Sequence, residues 1–103
     1  MKTTACPYIM KAFDLLSKKW TGVIIHTIAQ QDNNRAHFNY LKTTIDGITP
    51  RVLSMRLNEL IQEDIIVRVE DESHHAYELT QKGNDLVDAL HSIENWAHTY
   101  IKL

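Results

Sequence analysis

The chain has 103 residues, of which 44% are hydrophobic and 23% are charged, and its formal net charge is −2. This size and composition predict a single globular domain over residues 1–103, and the net charge excludes a general electrostatic attraction to nucleic acid. The sequence has no apolar run of membrane-spanning length, no secretory signal and one cysteine, so we expect a cytoplasmic protein with no membrane association and no internal disulfide.

The first half of the chain predicts three short helices, because apolar residues recur there at helical spacing. The first helix begins at Cys6-Pro7. The second is led by Trp20 and is apolar on most sides, which predicts a central position, and the third covers residues 38–45. Between the helices lie a polar break at 17–19, a polar loop at 30–34 and a brief extended piece at Arg35–His37.

A turn at Asp46-Gly47 leads into the helix on which the fold prediction depends. Thr49 is placed to cap its amino end, and Pro50 fits its first turn, where the missing amide is not needed. We expect a helix of about fifteen residues, about 22 Å long, with one buried stripe. The residues of the stripe are Leu53, Leu57, Leu60 and Ile61.

A β-hairpin and a long helix complete the chain. Residues 65–69 are rich in β-branched side chains and too short for a helix, and residues 76–79 form the returning strand after a turn at 71–75. Thr80 is placed to cap the last helix. The apolar stripe of that helix consists of Leu86, Leu90, Ile93, Ala97 and Tyr100.

This order of helix, tight turn, helix and hairpin predicts a winged helix-turn-helix, a mostly α fold with a small β-hairpin. In such a fold the second helix of the pair enters the DNA major groove, which is about 12 Å wide. The hairpin at 66–79 is the wing beside the DNA backbone. The first and last helices carry more apolar residues than one core of this size covers, which weakly indicates a dimer.

Several short motifs carry a resemblance to a known family. In their order and spacing, from about residue 5 to the carboxyl end, they resemble the HxlR-type winged-helix transcription regulators, relatives of the MarR regulators. Two departures are Lys18, where the family usually has glycine, and the wing tip at 73–75, which lacks a proline that is frequent there. The motifs are Cys6-Pro7, Lys19-Trp20-Thr21, Phe38-Asn39-Tyr40-Leu41, Gly47-Ile48-Thr49, Val52-Leu53-Ser54-x-Arg56-Leu57-x-x-Leu60, Tyr77-Glu78-Leu79-Thr80-x-x-Gly83 and Trp96.

The resemblance implies a bacterial homodimer, built through the first and last helices, that binds a pseudo-palindromic double-stranded DNA operator and regulates transcription, with repression as the expected outcome. Two-fold symmetry would place the two recognition helices about one DNA turn, roughly 34–36 Å, apart. The alternative from another functional class is a winged-helix module that binds proteins and no DNA, which the net acidity favours slightly. No arrangement of catalytic residues is evident, so we do not expect an enzyme.

The predicted DNA-contact residues lie mainly on the exposed face of the Thr49-capped helix. Arg51 is the strongest candidate for a base contact, because it lies near the helix start and arginine pairs with guanine through two hydrogen bonds. A merely solvated helix face is the alternative, and Lys42 and Arg68 are equally plausible as surface charges. The base-contact set is Arg51, Ser54, Met55 and Asn58, and the phosphate-contact set is Thr49, Arg56, Lys42 and Arg68.

Cys6 is the candidate sensor of the chain. A helix amino terminus stabilises anions and so favours the reactive thiolate form of a cysteine. The resemblance implies sensing of oxidants or electrophiles at this position. Without a second cysteine, Cys6 is left to form an adduct with an aldehyde or quinone, a mixed disulfide with a small thiol, or a bond to the partner's Cys6. The alternative is a small buried or capping residue.

Histidines near the carboxyl end and in the wing raise the question of a metal site. His91, Glu94 and His98 share one side of the last helix, and two further histidines lie at 74–75. Metal sites usually need three or four ligands with support from surrounding groups, which this spacing does not provide. We therefore expect solvated or dimer-contact histidines, with no metal and no cofactor.

Overall fold

The computed structural model describes residues 5–70 and 75–103. These residues form a mostly α structure with a small antiparallel sheet, which confirms the predicted fold class. No helix among them is long and apolar enough to cross a membrane. The helices are α1 (Pro7–Leu16), α2 (Thr21–Ala29), α3 (Phe38–Thr44), α4 (Pro50–Gln62) and α5 (Gln81–Tyr100), the strands are β1 (Arg35–His37), β2 (Ile66–Glu70) and β3 (His75–Leu79), and a short 3-10 turn covers Asp32–Asn34.

The sheet has three strands, one more than the predicted hairpin. β3 is central, with β2 on one side and β1 on the other, both antiparallel. Arg35 lies opposite Glu78, and the guanidinium Nη2 is 2.7 Å from the carboxylate Oε1. The sequence predicted the extended piece at 35–37 but not its pairing, because strand partners this far apart leave no local pattern. The predicted turn at 71–75 lies outside the described residues except for His75, which is the first residue of β3.

The core is built around α2, as its apolar sequence predicted. Ile24, Ile25 and Ile28 are completely buried, and α5, α3 and the sheet pack against α2. The predicted stripe of α4 is confirmed for its three leucines, whereas Ile61 is only partly buried at the edge of the core. The buried leucines of α4 are Leu53, Leu57 and Leu60.

The turn before α4 and the helix cap have the predicted form. Gly47 has a φ of 89°, in the left-handed region that glycine tolerates, and Thr49 Oγ1 accepts a hydrogen bond of 3.2 Å from the amide of Val52. Pro50 is the first helical residue. The helix has 13 residues rather than about fifteen, because the chain leaves it before Asp64, whose φ is 59°.

The start of α5 is fastened to the start of β2. The hydroxyl of Thr80 accepts a 3.1 Å hydrogen bond from the amide of Gly83, as the predicted cap requires, and donates to the carbonyl of Asp64 at 2.5 Å. The amide of Thr80 donates a 3.0 Å hydrogen bond to the carbonyl of Ile65. A Cβ atom on Gly83 would lie 2.2 Å from the same carbonyl oxygen. Glycine at this position therefore allows the closest approach of α5 to the sheet.

The two end helices leave large apolar side chains exposed. α1 has no buried residue, and its Phe13 is 55% exposed. The predicted stripe of α5 divides in two: its first residues pack partly on the core, whereas Ile93 and Tyr100 are exposed. Trp96, whose ring lies 5.7 Å from that of Tyr100, is 59% exposed. The exposed apolar residues of these helices are Tyr8, Ile9, Met10, Phe13, Ile93, Trp96 and Tyr100.

Candidate nucleic-acid interface

One face of α4 points away from the core and is polar. Arg51, Ser54, Met55 and Asn58 are all exposed, and their spacing of three and four residues aligns them along one side of the helix. The buried leucines hold the opposite side against α2 and the sheet. The predicted base-contact residues therefore form a continuous exposed surface, the α4 face.

A concave surface adjoins the α4 face and extends to the sheet. It encloses about 500 Å³ between α4, the start of α3 and the wing strands. Ser54 and Arg68, which the sequence predicted separately, meet here. Sequence reasoning missed Asn39 and His75, because they reach this surface through the pairing of β3 with its neighbours. The lining residues are His37, Phe38, Asn39, Ser54, Arg68, His75 and Tyr77.

Thr49 and Lys42, two of the predicted phosphate contacts, differ in their surroundings. The Thr49 hydroxyl accepts the Val52 amide and still has its own hydrogen to donate, for example to a phosphate oxygen. Lys42 is exposed on the last turn of α3 and is not among the residues that line the concave surface.

The guanidinium of Arg56 makes hydrogen bonds to other residues of the protein. Its Nε donates a 2.9 Å hydrogen bond to the carbonyl of Lys19, and its Nη1 donates at 3.2 Å to Glu59 Oε1. Its side chain is 17% exposed. The guanidinium is thus held by groups of the fold. The phosphate contact stays a prediction, and these contacts within the protein were not predicted, because a helical period alone cannot show what the flank of a helix packs against.

Cys6 is exposed and is the residue that precedes the first turn of α1. Its side chain makes no capping hydrogen bond to α1. The two structural alternatives, a buried residue and a capping residue, therefore do not describe this cysteine. The sensing role of Cys6 stays a prediction.

The histidines of α5 are joined to α2 through Glu94. Glu94 Oε2 lies 3.4 Å from His26 Nε2 and 3.9 Å from His98 Nε2. The sequence pattern placed His91 and His98 beside Glu94 but did not indicate His26, which comes from another helix. In the ranges 5–70 and 75–103, no group of three or more such side chains is arranged to hold a metal ion. The two-residue group at 74–75 is described for His75 alone.

The sequence matches the family model of the HxlR-like helix-turn-helix over residues 15–103. The chain belongs to this family. It is also 34% identical over 103 residues to the HTH-type transcriptional regulator YodB of Bacillus subtilis (strain 168). The aligned region covers 97% of this chain and 89% of YodB. Membership makes this protein a DNA-binding helix-turn-helix transcription regulator.

Solved structures of YodB agree with the fold described above. The reduced form superimposes with a TM-score of 0.80 at 31% identity, covering 96% of this chain and 97% of the YodB chain. The quinone-bound form superimposes with a TM-score of 0.78 at 33% identity, and the match covers 93% of this chain and 100% of the YodB chain. The similarity therefore includes α1 and α5 as well as the winged helix itself.

Proposed function

We propose that this protein is a homodimeric repressor that binds a pseudo-palindromic DNA operator through α4 and responds to an electrophile at Cys6. The observation that carries the proposal is the α4 face, which is exposed along its length, bears Arg51 near its start and continues into the concave surface ending at Arg68. Family membership supplies the class of function, and the α4 face supplies the residues.

The dimensions of α4 suit the DNA major groove. Its 13 residues give a length of about 20 Å, and the groove is about 12 Å wide. Arg51 is the base-reading residue of this proposal, with Ser54, Met55 and Asn58 following along the groove. Thr49 binds a phosphate near the helix start, and Arg68 and Lys42 bind phosphates on either side.

In the proposed dimer, a second copy of the chain buries the exposed apolar side chains of α1 and α5. The exposed apolar residues of α1 and α5 would remain in water in a monomer, which is unfavourable by about 25 cal/mol for each Å². In a two-fold dimer built on these helices, two α4 helices would contact half-sites roughly 34–36 Å apart.

Cys6 provides the signal input. Its sulfur is exposed at the start of α1, one of the helices assigned here to the dimer interface. A thiolate adds to an electron-poor ring carbon of a quinone, and the ring is converted to the hydroquinone thioether with uptake of a proton. A quinone-bound structure exists for YodB, the relative with which this chain shares its fold, and this supports the choice of ligand class.

Binding to DNA is tested with duplexes from upstream of the protein's own gene and of the adjacent divergent gene, against a random duplex at one fixed salt concentration. Arg51→Ala is expected to lower operator affinity by about 1–3 kcal/mol and random-duplex affinity much less. Arg51→Lys is the matched control, because it keeps the charge but loses the two-bond geometry for guanine. Equal losses on both duplexes would refute base reading by Arg51.

The same titration distinguishes DNA binding from a protein-interaction role. A DNA-binding protein releases counterions, so its affinity falls steeply with added salt. Absence of binding to any duplex at low salt would exclude the repressor and favour the interaction module.

The sensor is tested by repeating the operator titration after treatment with a benzoquinone. The wild type is expected to lose operator affinity, while Cys6→Ser keeps it. If both proteins respond equally, or neither responds, Cys6 is not the sensor, although the repressor assignment stands.

A further inference from the structure

The break between α1 and α2 holds α4 through two consecutive residues. Lys18 Nζ lies 3.2 Å from Glu59 Oε2, and the carbonyl of Lys19 accepts the 2.9 Å hydrogen bond from Arg56 Nε. Both contacts reach the same turn of α4. The helix that carries the candidate DNA contacts is therefore tied directly to the connection that follows α1.

Glu59 joins these contacts into one group. Its Oε2 pairs with Lys18, and its Oε1 accepts a 3.2 Å hydrogen bond from Arg56 Nη1. The side chains of Arg56 and Glu59 are 17% and 29% exposed, so water screens their attraction less than that of a surface ion pair, whereas Lys18 is 45% exposed and its attraction to Glu59 is screened more. We name Lys18, Arg56 and Glu59 the latch.

The same break also supports the start of α4. Trp20 has a φ of 82°, which is unusual for a bulky residue, and its ring lies against Gly47, where an added Cβ atom would be 3.4 Å from Trp20 Cη2. Lys19 Nζ lies 5.0 Å from the centre of the Trp20 ring. Residues 18–20 therefore contact the middle turn of α4 and the turn that leads into it.

The connection between α1 and α4 is otherwise loose. A cleft of about 400 Å³ separates α1 from the carboxyl-terminal half of α4. α1 has no buried residue, and its Leu15 packs only partly buried against the core, so the polar contacts of Lys18 and Lys19 add to the core packing of α4. The cleft is lined by Lys11, Asp14, Leu15, Lys18, Glu59, Gln62 and Glu63.

We propose that the latch is a positioning device that holds α4 in the orientation needed to read its operator. The proposal rests on the DNA-binding function proposed above. Lys18 and Glu59 are not among the predicted DNA contacts, so their effect on binding passes through α4. Loss of the latch should weaken operator recognition more than general attraction to DNA, because only base reading requires a fixed helix orientation.

The test compares Lys18→Met with Lys11→Met. Both variants remove one positive charge from the same cleft, but of these two lysines Lys18 is the one that pairs with Glu59 in the described structure. At fixed salt, Lys18→Met should bind the operator about fivefold more weakly than Lys11→Met, while the two variants bind a random duplex equally. Lys18→Arg, which retains the ion pair, should bind the operator like the wild type.

A double-mutant cycle identifies the partner of Lys18. If the latch acts as one unit, Lys18→Met combined with Glu59→Gln should lose no more operator affinity than the larger of the two single losses. Additive losses would show that the two residues act separately and would overturn the latch.

Hydrogen exchange gives a readout that does not depend on DNA. The amides of residues 56–62 should exchange faster in Lys18→Met than in Lys11→Met, with no difference in α5. Faster exchange with an unchanged ratio of operator to random-duplex affinity would overturn positioning, because the latch would then only stabilise the helix. If the wild type prefers no duplex, the proposed function fails and the latch with it; if the wild type binds its operator and the two lysine variants behave alike, the latch alone fails.

Discussion

Replacing Gly83 with alanine tests the packing that fixes α5 to the winged helix. The added Cβ would lie 2.2 Å from the carbonyl oxygen of Ile65 and 3.0 Å from Leu79 Cδ2. An ordinary carbon–oxygen contact is longer than the first of these by about 1 Å. The carbonyl is part of the backbone that leads into β2, so it cannot rotate away as a side chain would, and α5 must move instead.

The magnitude follows from three effects. Overpacking of this kind destabilises by about 1–3 kcal/mol, and displacement of α5 also weakens the Thr80 cap, which is worth about 1 kcal/mol. The greater helix propensity of alanine offsets about 1 kcal/mol of this destabilisation. We expect Gly83→Ala to lower the free energy of unfolding by about 2 kcal/mol, equivalent to a fall of about 10 °C in Tm.

Gly22→Ala is the matched control. Gly22 lies in the first turn of α2, and its added Cβ would meet no atom within 4 Å. Its substitution should raise stability by about 0.5–1 kcal/mol. Thermal unfolding followed by circular dichroism, at one fixed protein concentration, gives both values. A Gly83→Ala protein as stable as the wild type, beside a normal Gly22→Ala control, would refute the close approach of α5 to β2.

Three further substitutions test the helix cap, the core and the proposed dimer. Thr49→Ala should lower the free energy of unfolding in urea by about 1 kcal/mol, with recovery in Thr49→Ser; no loss would mean that the cap bond is absent in solution. Thr21→Val should raise the free energy of unfolding by about 1 kcal/mol, because within the described part of the chain the buried Thr21 hydroxyl has no hydrogen-bond partner. A lower free energy of unfolding would indicate that the hydroxyl has a partner in solution. Trp96→Ala should raise the dimer dissociation constant about thirtyfold in sedimentation analysis, and an unchanged constant would place Trp96 outside the interface.

The features that could be predicted from sequence depend on residues close together in the chain. Thr49 and Thr80 were identified as caps because a cap bonds to an amide three residues away, and the structure has both bonds. The leucine stripe of α4 was equally visible, since its members recur at the helical period. The α4 face then follows as the complement of that stripe.

The features that escaped prediction join residues distant in sequence. The hydrogen bond from Arg56 to the carbonyl of Lys19 was not predicted, because it forms only where α4 lies against the break at 17–20. His75 was expected in a turn, yet strand pairing brings it to the concave surface. His26 meets Glu94 only because α2 and α5 pack together. Each contact is set by tertiary packing, which no window of the sequence contains.

Pairing of β1 with β3 also shapes the kinetics of folding. The Arg35–Glu78 contact joins residues 43 positions apart and closes a loop that contains α3, α4 and β2. Closing such a loop is entropically unfavourable, whereas the helices and the β2–β3 hairpin form from near neighbours. We therefore expect β1 to dock after the folding barrier, so that Glu78→Gln speeds unfolding and hardly changes the folding rate. The concave surface beside α4, which His37 of β1 helps to line, would then be completed only in this last step of folding.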